Sequence, residues 1–283
     1  MHFFLSRSRL AGTILLASTL AACGGGGGSA PEAASQAAPA GGVSTTAVAA
    51  QVTPAGLMDL SGWKLNLPID TAGAAITQNA ARTVLPQELV AGFSDDFFHA
   101  DDQGHIVFTA PANGAVTTPG VGTDHTRSEL REFDRQGDAK GDWTASGALS
   151  ATCAIRQVAS ASPIAVIGQL RSENHVFAQV VYRVATQDVA VDVYQGDIDG
   201  SRHAVTSLVS AIGLGQPVPY TLSFTAGVLT ATANGTSRSF AVDTSWNVAP
   251  LYFKVGAYHT APNTGNPAGD ATSVACSGIA VTH

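Results

Sequence analysis

The chain has 283 residues, a formal net charge of −7, and only 12% charged side chains. An acidic balance without a basic excess argues against a nucleic-acid binder. It leaves room for a local cluster of arginines that holds carboxylates on a mildly acidic surface.

The chain opens on a short basic stretch with Arg7 and Arg9, then the apolar run from Leu10 to Leu20, then Ala21-Ala22-Cys23. A basic start, a short apolar centre and small residues before a break have the build of a secretory signal, too short to span a membrane. Its ending, LAAC, resembles the lipobox of bacterial lipoproteins. That resemblance implies a signal peptide over 1–22, lipid on Cys23, and an exported lipoprotein of the outer membrane. Gly24 to Gly28 follow at once, and Ala, Ser, Gly, Pro, Thr and Gln dominate up to about Gln51. Such a segment buries too little apolar surface to offset its ordering entropy, so 23–51 reads as a flexible tether. Residues 52–283 remain as one domain, with no second linker and no internal repeat. With Cys23 lipidated, Cys153 and Cys276 form one even pair in an oxidising compartment and are expected to be bonded.

Within the domain, helical periodicity is confined to PQELVA (86–91). Strand signals follow one another: HIVFTA (105–110), RSELREF (127–133), GALSATCAI (147–155), IAVIGQLR (164–171), VFAQVVYRV (176–184), VAVDVYQ (189–195), YTLSFTA (220–226), VLTATA (228–233), LYFKVGAY (251–258) and SGIAVTH (277–283). They alternate or run apolar between Gly, Pro, Asn and Asp. Ala226-Gly227 and Asn234-Gly235 read as tight hairpin turns. Many antiparallel strands in one domain predict an all-β sandwich or jelly roll.

Three strands pair a polar face with a packing face, because side chains two apart point the same way. HTRSELRE places His125, Arg127, Glu129 and Arg131 together. IAVIGQLR sets Ile164, Val166, Gly168 and Leu170 against Gln169 and Arg171. LYFKVGAY sets Tyr252, Lys254, Gly256 and Tyr258 against Leu251, Phe253, Val255 and Ala257. If the three share a sheet, they line a groove with Arg, Gln, Lys, Tyr and His. The plainer reading of Arg127, Glu129 and Arg131 is a cross-strand ion-pair ladder, worth little at a surface. Tyr182, Tyr194, Tyr220 and Tyr252 read as sheet-packing tyrosines, and Trp63 and Trp246 as packing residues. Asp197-Ile198-Asp199-Gly200 looks like the start of a calcium loop but lacks the later ligands, so it reads as a turn. A glycosidase needs two facing carboxylates, and that turn offers the only tempting pair. No metal site or cofactor is expected.

The groove chemistry suits a uronic-acid polymer. Cleaving its 1,4 link by elimination needs cationic or amide donors to neutralise the C5 carboxylate. It also needs a base for the C5 proton and an acid for the departing O4. Tyr serves as either if nearby cations, Lys254 among them, depress its pKa. RSELRE, the Gln of IGQ, YFKVGAY and the opening WKLNLPID (63–70) resemble, in order and across the domain, the signature blocks of the alginate lyases of polysaccharide lyase family 7. The resemblance implies a β-jelly roll of two antiparallel sheets with a concave substrate groove and no obligatory cofactor. It implies that Arg127 and Gln169 neutralise the carboxylate and that Tyr258 is the catalytic acid, and for some substrates the base. Glu129, Arg131 and Lys254 would shape the site and bind substrate.

One block departs from the family pattern, which has Gln-x-His where this chain has Gln169-Leu170-Arg171. Arginine cannot act as a base at neutral pH. Either Tyr258 works alone, which favours mannuronate or glucuronate units, or another histidine substitutes, His125 before His175 and His259. The alternative without catalysis is a lipoprotein that binds acidic polysaccharide. The expected partner is a polyuronate such as alginate, met by a monomer that touches the membrane through its lipid alone, with Arg171 as an added substrate-binding cation.

Overall fold

The structure, a computed structural model, describes residues 52–74, 79–119, 125–133 and 143–283. The signal, Cys23 and the tether lie outside the described residues. In chain order the strands are β1 (Trp63–Asp70), β2 (Ala81–Val84), β3 (Phe98–Ala100), β4 (Ile106–Pro111), β5 (Arg127–Glu132), β6 (Ser146–Gln157), β7 (Ile164–Ser172) and β8 (Val176–Arg183). They continue with β9 (Asp188–Tyr194), β10 (His203–Val209), β11 (Pro217–Thr225), β12 (Val228–Ala233), β13 (Thr236–Ala241), β14 (Leu251–His259) and β15 (Ala271–Thr282). Among the described residues the α-helix is α1 (Pro86–Val90); it starts on a proline, and Glu88 caps it by accepting from the Leu85 N–H at 3.1 Å.

The strands form two antiparallel sheets of a jelly roll. One runs β10-β9-β8-β7-β14-β5-β1-β2 and the other β13-β12-β11-β6-β15-β4-β3. Their apolar faces meet in one large core. Phe177 of β8 stacks on Trp246 with centroids 4.2 Å apart and meets Phe224 of β11 edge-on at 4.9 Å. Leu251, Phe253, Val255 and Ala257 are fully buried there, as the alternation of β14 requires. Cys153 and Cys276 face each other on neighbouring strands β6 and β15 and are joined by a disulfide.

Ala226-Gly227 and Asn234-Gly235 each take two positive φ angles, 44° and 83°, then 45° and 78°. Both are therefore two-residue type I′ turns, which join β11 to β12 and β12 to β13.

Some expectations need correction. Strands β2, β3, β10 and β13 were not expected. The first two are short, and the last two are edge strands whose side chains are mostly exposed. Strand β15 begins six residues before SGIAVTH, because a register shift at Ser277–Ala280, with Gly278 at φ 60°, interrupts its alternation. The same effect breaks the predicted face of β7. An extra residue between Val166 and Gly168 shifts the register against β8. Ile167, Gly168 and Leu170 face the other sheet, whereas Ile164 and Val166 emerge beside Tyr258 on the groove side.

Candidate active site

Strands β7, β14, β5 and β1 are neighbours in the first sheet, so their outward faces form one surface. The register places Tyr258 opposite Arg127, Lys254 opposite Arg131 and Gln169, and Tyr252 opposite Arg171. A groove of about 680 Å³ opens over them. From the predicted set it is lined by Arg127, Arg131, Arg171, Lys254 and Tyr258.

Beneath the arginines lies a buried polar row. Glu129 is 1% exposed and Lys254 4%. Lys254 Nζ donates to Glu129 Oε2 at 2.5 Å. The Gln169 amide donates to the other oxygen of Glu129, and its own carbonyl oxygen accepts from Gln179 at 3.0 Å. Arg127 lies 3.8 Å from Glu129. Arg131 instead lies over the Tyr252 ring at 3.8 Å, and Arg127 over the Tyr258 ring at 4.5 Å.

The plainer reading of β5 as an ion-pair ladder holds only for Arg127 and Glu129, because Arg131 turns to Tyr252 instead. Glu129 chiefly holds Lys254 and Gln169 rather than two arginines. Gln169, assigned to carboxylate binding by resemblance, sits fully buried in the row and does not line the groove. The Nε atoms of Arg127 and Arg131 are buried without a hydrogen-bond partner among the described residues.

The electrostatics correct a second expectation. Burial raises the Tyr258 pKa, and Glu129 adds to the rise; Arg127 and Arg171 oppose it without prevailing. Tyr258 is a protonated phenol in the free protein. The charges that oppose the rise are the two arginines, not Lys254 as expected. Burial pulls the Lys254 pKa down, and Arg127 and Arg171 add to this against the pull of Glu129. For Glu129 burial acts upward, but Lys254 and Arg127 prevail and keep it a carboxylate.

The histidines divide clearly. His125 lies beside the site, its ring 6.1 Å from that of Tyr258. Its Nδ1 sits 3.1 Å from the Ala261 carbonyl, which fixes the proton there and leaves Nε2 as the basic nitrogen. His175 is held by Asp197 at 2.7 Å and Asp199 at 3.1 Å, so the predicted turn is a histidine clasp. His259 is fully buried.

Several lining residues escaped prediction: Lys64, Asn66, Thr117, Thr118, Glu173 and Asn174. Lys64 and Asn66 were accessible to the same period-two logic, since Trp63, Leu65 and Leu67 of β1 alternate with them into the core. Tyr252, expected to pack, carries Arg131 at the groove floor.

Residues 58–283 match the family model described as Alginate lyase. An alginate lyase of Klebsiella pneumoniae is 28% identical, over 77% of this chain and 88% of that protein. The crystal structure of an alginate lyase from Pseudomonas aeruginosa superposes with a TM-score of 0.69 at 28% identity, covering 80% of this chain and 100% of the other. The fold also matches, at a TM-score of 0.68 and 22% identity, a family 7 alginate lyase solved with a product; the match covers 82% of this chain and 99% of that one.

Proposed function

The chain belongs to the alginate lyase family, and on that premise we propose how its groove selects and cleaves substrate. It is a polysaccharide lyase acting on alginate, and in our reading it prefers mannuronate. A mannuronate carboxylate meets Arg127 and Arg131, whose charge stabilises the enolate-like intermediate. Tyr258, as phenolate, takes the C5 proton. The electron pair left at C5 forms the C4–C5 double bond as the C4–O4 bond breaks, and Tyr258 returns the proton to O4. In mannuronate H5 and O4 lie on one side of the ring, so one group reaches both. Guluronate presents H5 on the other side and needs a second base. Arg171 stands where the family carries histidine, and it holds its proton. Its role here is to bind carboxylate.

The observation that carries this reading is the groove lining: three arginines, two lysines, one glutamate and two tyrosines, with no histidine among the described residues. Because Tyr258 begins protonated, turnover should climb with pH as the phenolate population grows. Tyr258→Phe should lower double-bond formation, followed by ultraviolet absorbance, by about a thousandfold or more while binding of mannuronate oligomers persists. A variant that keeps more than about a tenth of wild-type turnover would remove Tyr258 from proton transfer.

The position of His125 favours a second reading, in which His125 Nε2 is the base and Tyr258 only the acid. His125→Ala separates the two. A loss under about tenfold supports Tyr258 alone, and a loss of about a hundredfold or more supports the histidine.

The anchoring belongs to the same proposal and rests on the sequence. Labelled palmitate should enter the wild-type chain in its bacterial host but not a Cys23→Ser variant.

A further inference from the structure

The β5–β14 ladder ends at Arg127 and Tyr258. The next pair across, Thr126 and His259, is joined by side chains instead. His259 Nε2 lies 2.7 Å from Thr126 Oγ1, and the Thr126 hydroxyl donates to the Pro111 carbonyl at 2.5 Å. With its one proton committed to Pro111, that hydroxyl must accept from the imidazole. The proton of His259 therefore sits on Nε2. Its Nδ1 is buried without a partner. Both residues are fully buried, and burial depresses His259 to about 4, so the ring is neutral. The end of β4, the entry to β5 and the exit of β14 are thus tied at one point.

Neighbouring residues on a strand face opposite ways. Thr126 is flanked by His125 and Arg127, and His259 follows Tyr258. Fixing the buried pair therefore fixes how these groove-side residues stand to one another. Two contacts depend on it: Arg127 over the Tyr258 ring at 4.5 Å and His125 at 6.1 Å from it.

We propose that His259 and Thr126 are positioning residues for the elimination, a buried clamp that holds Tyr258 against Arg127 where the backbone ladder stops. The inference rests on the reading of Tyr258 as the proton-transfer group. A displacement of about 1 Å at a reacting group is enough to reduce turnover about a hundredfold.

The test compares Thr126→Val, which keeps the shape and loses the hydroxyl, with Thr126→Ser, which keeps the hydroxyl. Valine should lower kcat by about 10- to 100-fold with KM within about threefold of wild type, and serine should restore most of kcat. Near-ultraviolet circular dichroism checks folding. If the valine variant does not fold, the same comparison is read from His259→Leu against His259→Gln, whose amide can donate from the same place. Unchanged kcat in the hydroxyl-free or donor-free variant, or equal losses within both pairs, overturns the clamp. Tyr258→Phe, run alongside, keeps the readings apart. If it is inactive while the clamp variants are normal, only the clamp fails. If it remains active, the Tyr258 reading itself fails.

Discussion

Replacing Glu129 by Gln keeps the shape of the side chain and removes its charge. Lys254, whose Nζ lies 2.5 Å from Glu129 Oε2, would then remain buried with no counter-charge and under the repulsion of Arg127. Removing one partner of a buried ion pair costs about 3–5 kcal/mol, because the ion left behind cannot be rehydrated. The loss should depend on pH. Burial already sets the folded pKa of Lys254 below its unfolded value. Between those two values the unfolded chain holds more protons, so stability rises with pH. The Gln variant lowers the folded value further. Its deficit against wild type therefore opens as pH falls below the wild-type folded value of about 7 and is small at higher pH, where Lys254 is neutral in both folded proteins. Urea unfolding at about pH 6 and about pH 9.5 measures both. Adding Lys254→Met should recover much of the loss, since an apolar pair replaces a buried ionic one at little cost. A deficit below about 1 kcal/mol at the lower pH, or one that grows with pH, would mean that Glu129 is not the counter-charge that keeps Lys254 buried.

Two further outcomes follow from backbone geometry and burial. Gly256 has φ 151°, and a Cβ there would lie 2.8 Å from Glu129 Cα and also against the Ser128 carbonyl. Gly256→Ala should destabilise by about 3 kcal/mol and depress turnover, as a thermal melt and the absorbance assay would show; a melt within about 2 °C of wild type contradicts this. His259 has its pKa lowered from 6.5 to about 4 in the fold. As pH falls through that window the unfolded chain takes the proton first, so stability drops by about 3 kcal/mol. His259→Gln should flatten that slope between pH 6.5 and about 4, and an unchanged slope would show that other groups set it.

The sequence carried the long strands well, because period-two alternation against a core is a strong signal. It identified Arg127, Arg131 and Tyr258 as one surface for the same reason. What it could not carry were the places where the period slips. The extra residue in β7 moved Ile164 and Val166 to the groove side. Gly278 hid the first half of β15. Edge strands β10 and β13 bury little, so their sequences lack the apolar alternation that marks inner strands. Alternation also says which face a residue occupies but not how deep it lies. Gln169, Glu129 and Lys254 share the groove face yet form a buried row beneath it. Depth also reversed the expected shift of Tyr258, since burial outweighs the neighbouring arginines. The pairing of His259 with Thr126 joins residues far apart in the chain, and only the strand register makes it visible.

With Arg171 in the position of the family's histidine, the proposed lyase should work best on mannuronate. The most direct measurement gives the domain without its tether poly-mannuronate, poly-guluronate and glucuronan separately, and follows the absorbance of the new C4–C5 double bond. The rise on poly-mannuronate should be at least about tenfold faster than on poly-guluronate. Faster cleavage of poly-guluronate would contradict it, because a second base would then be at work, and a rise on glucuronan alone would mean that Arg171 marks a different substrate.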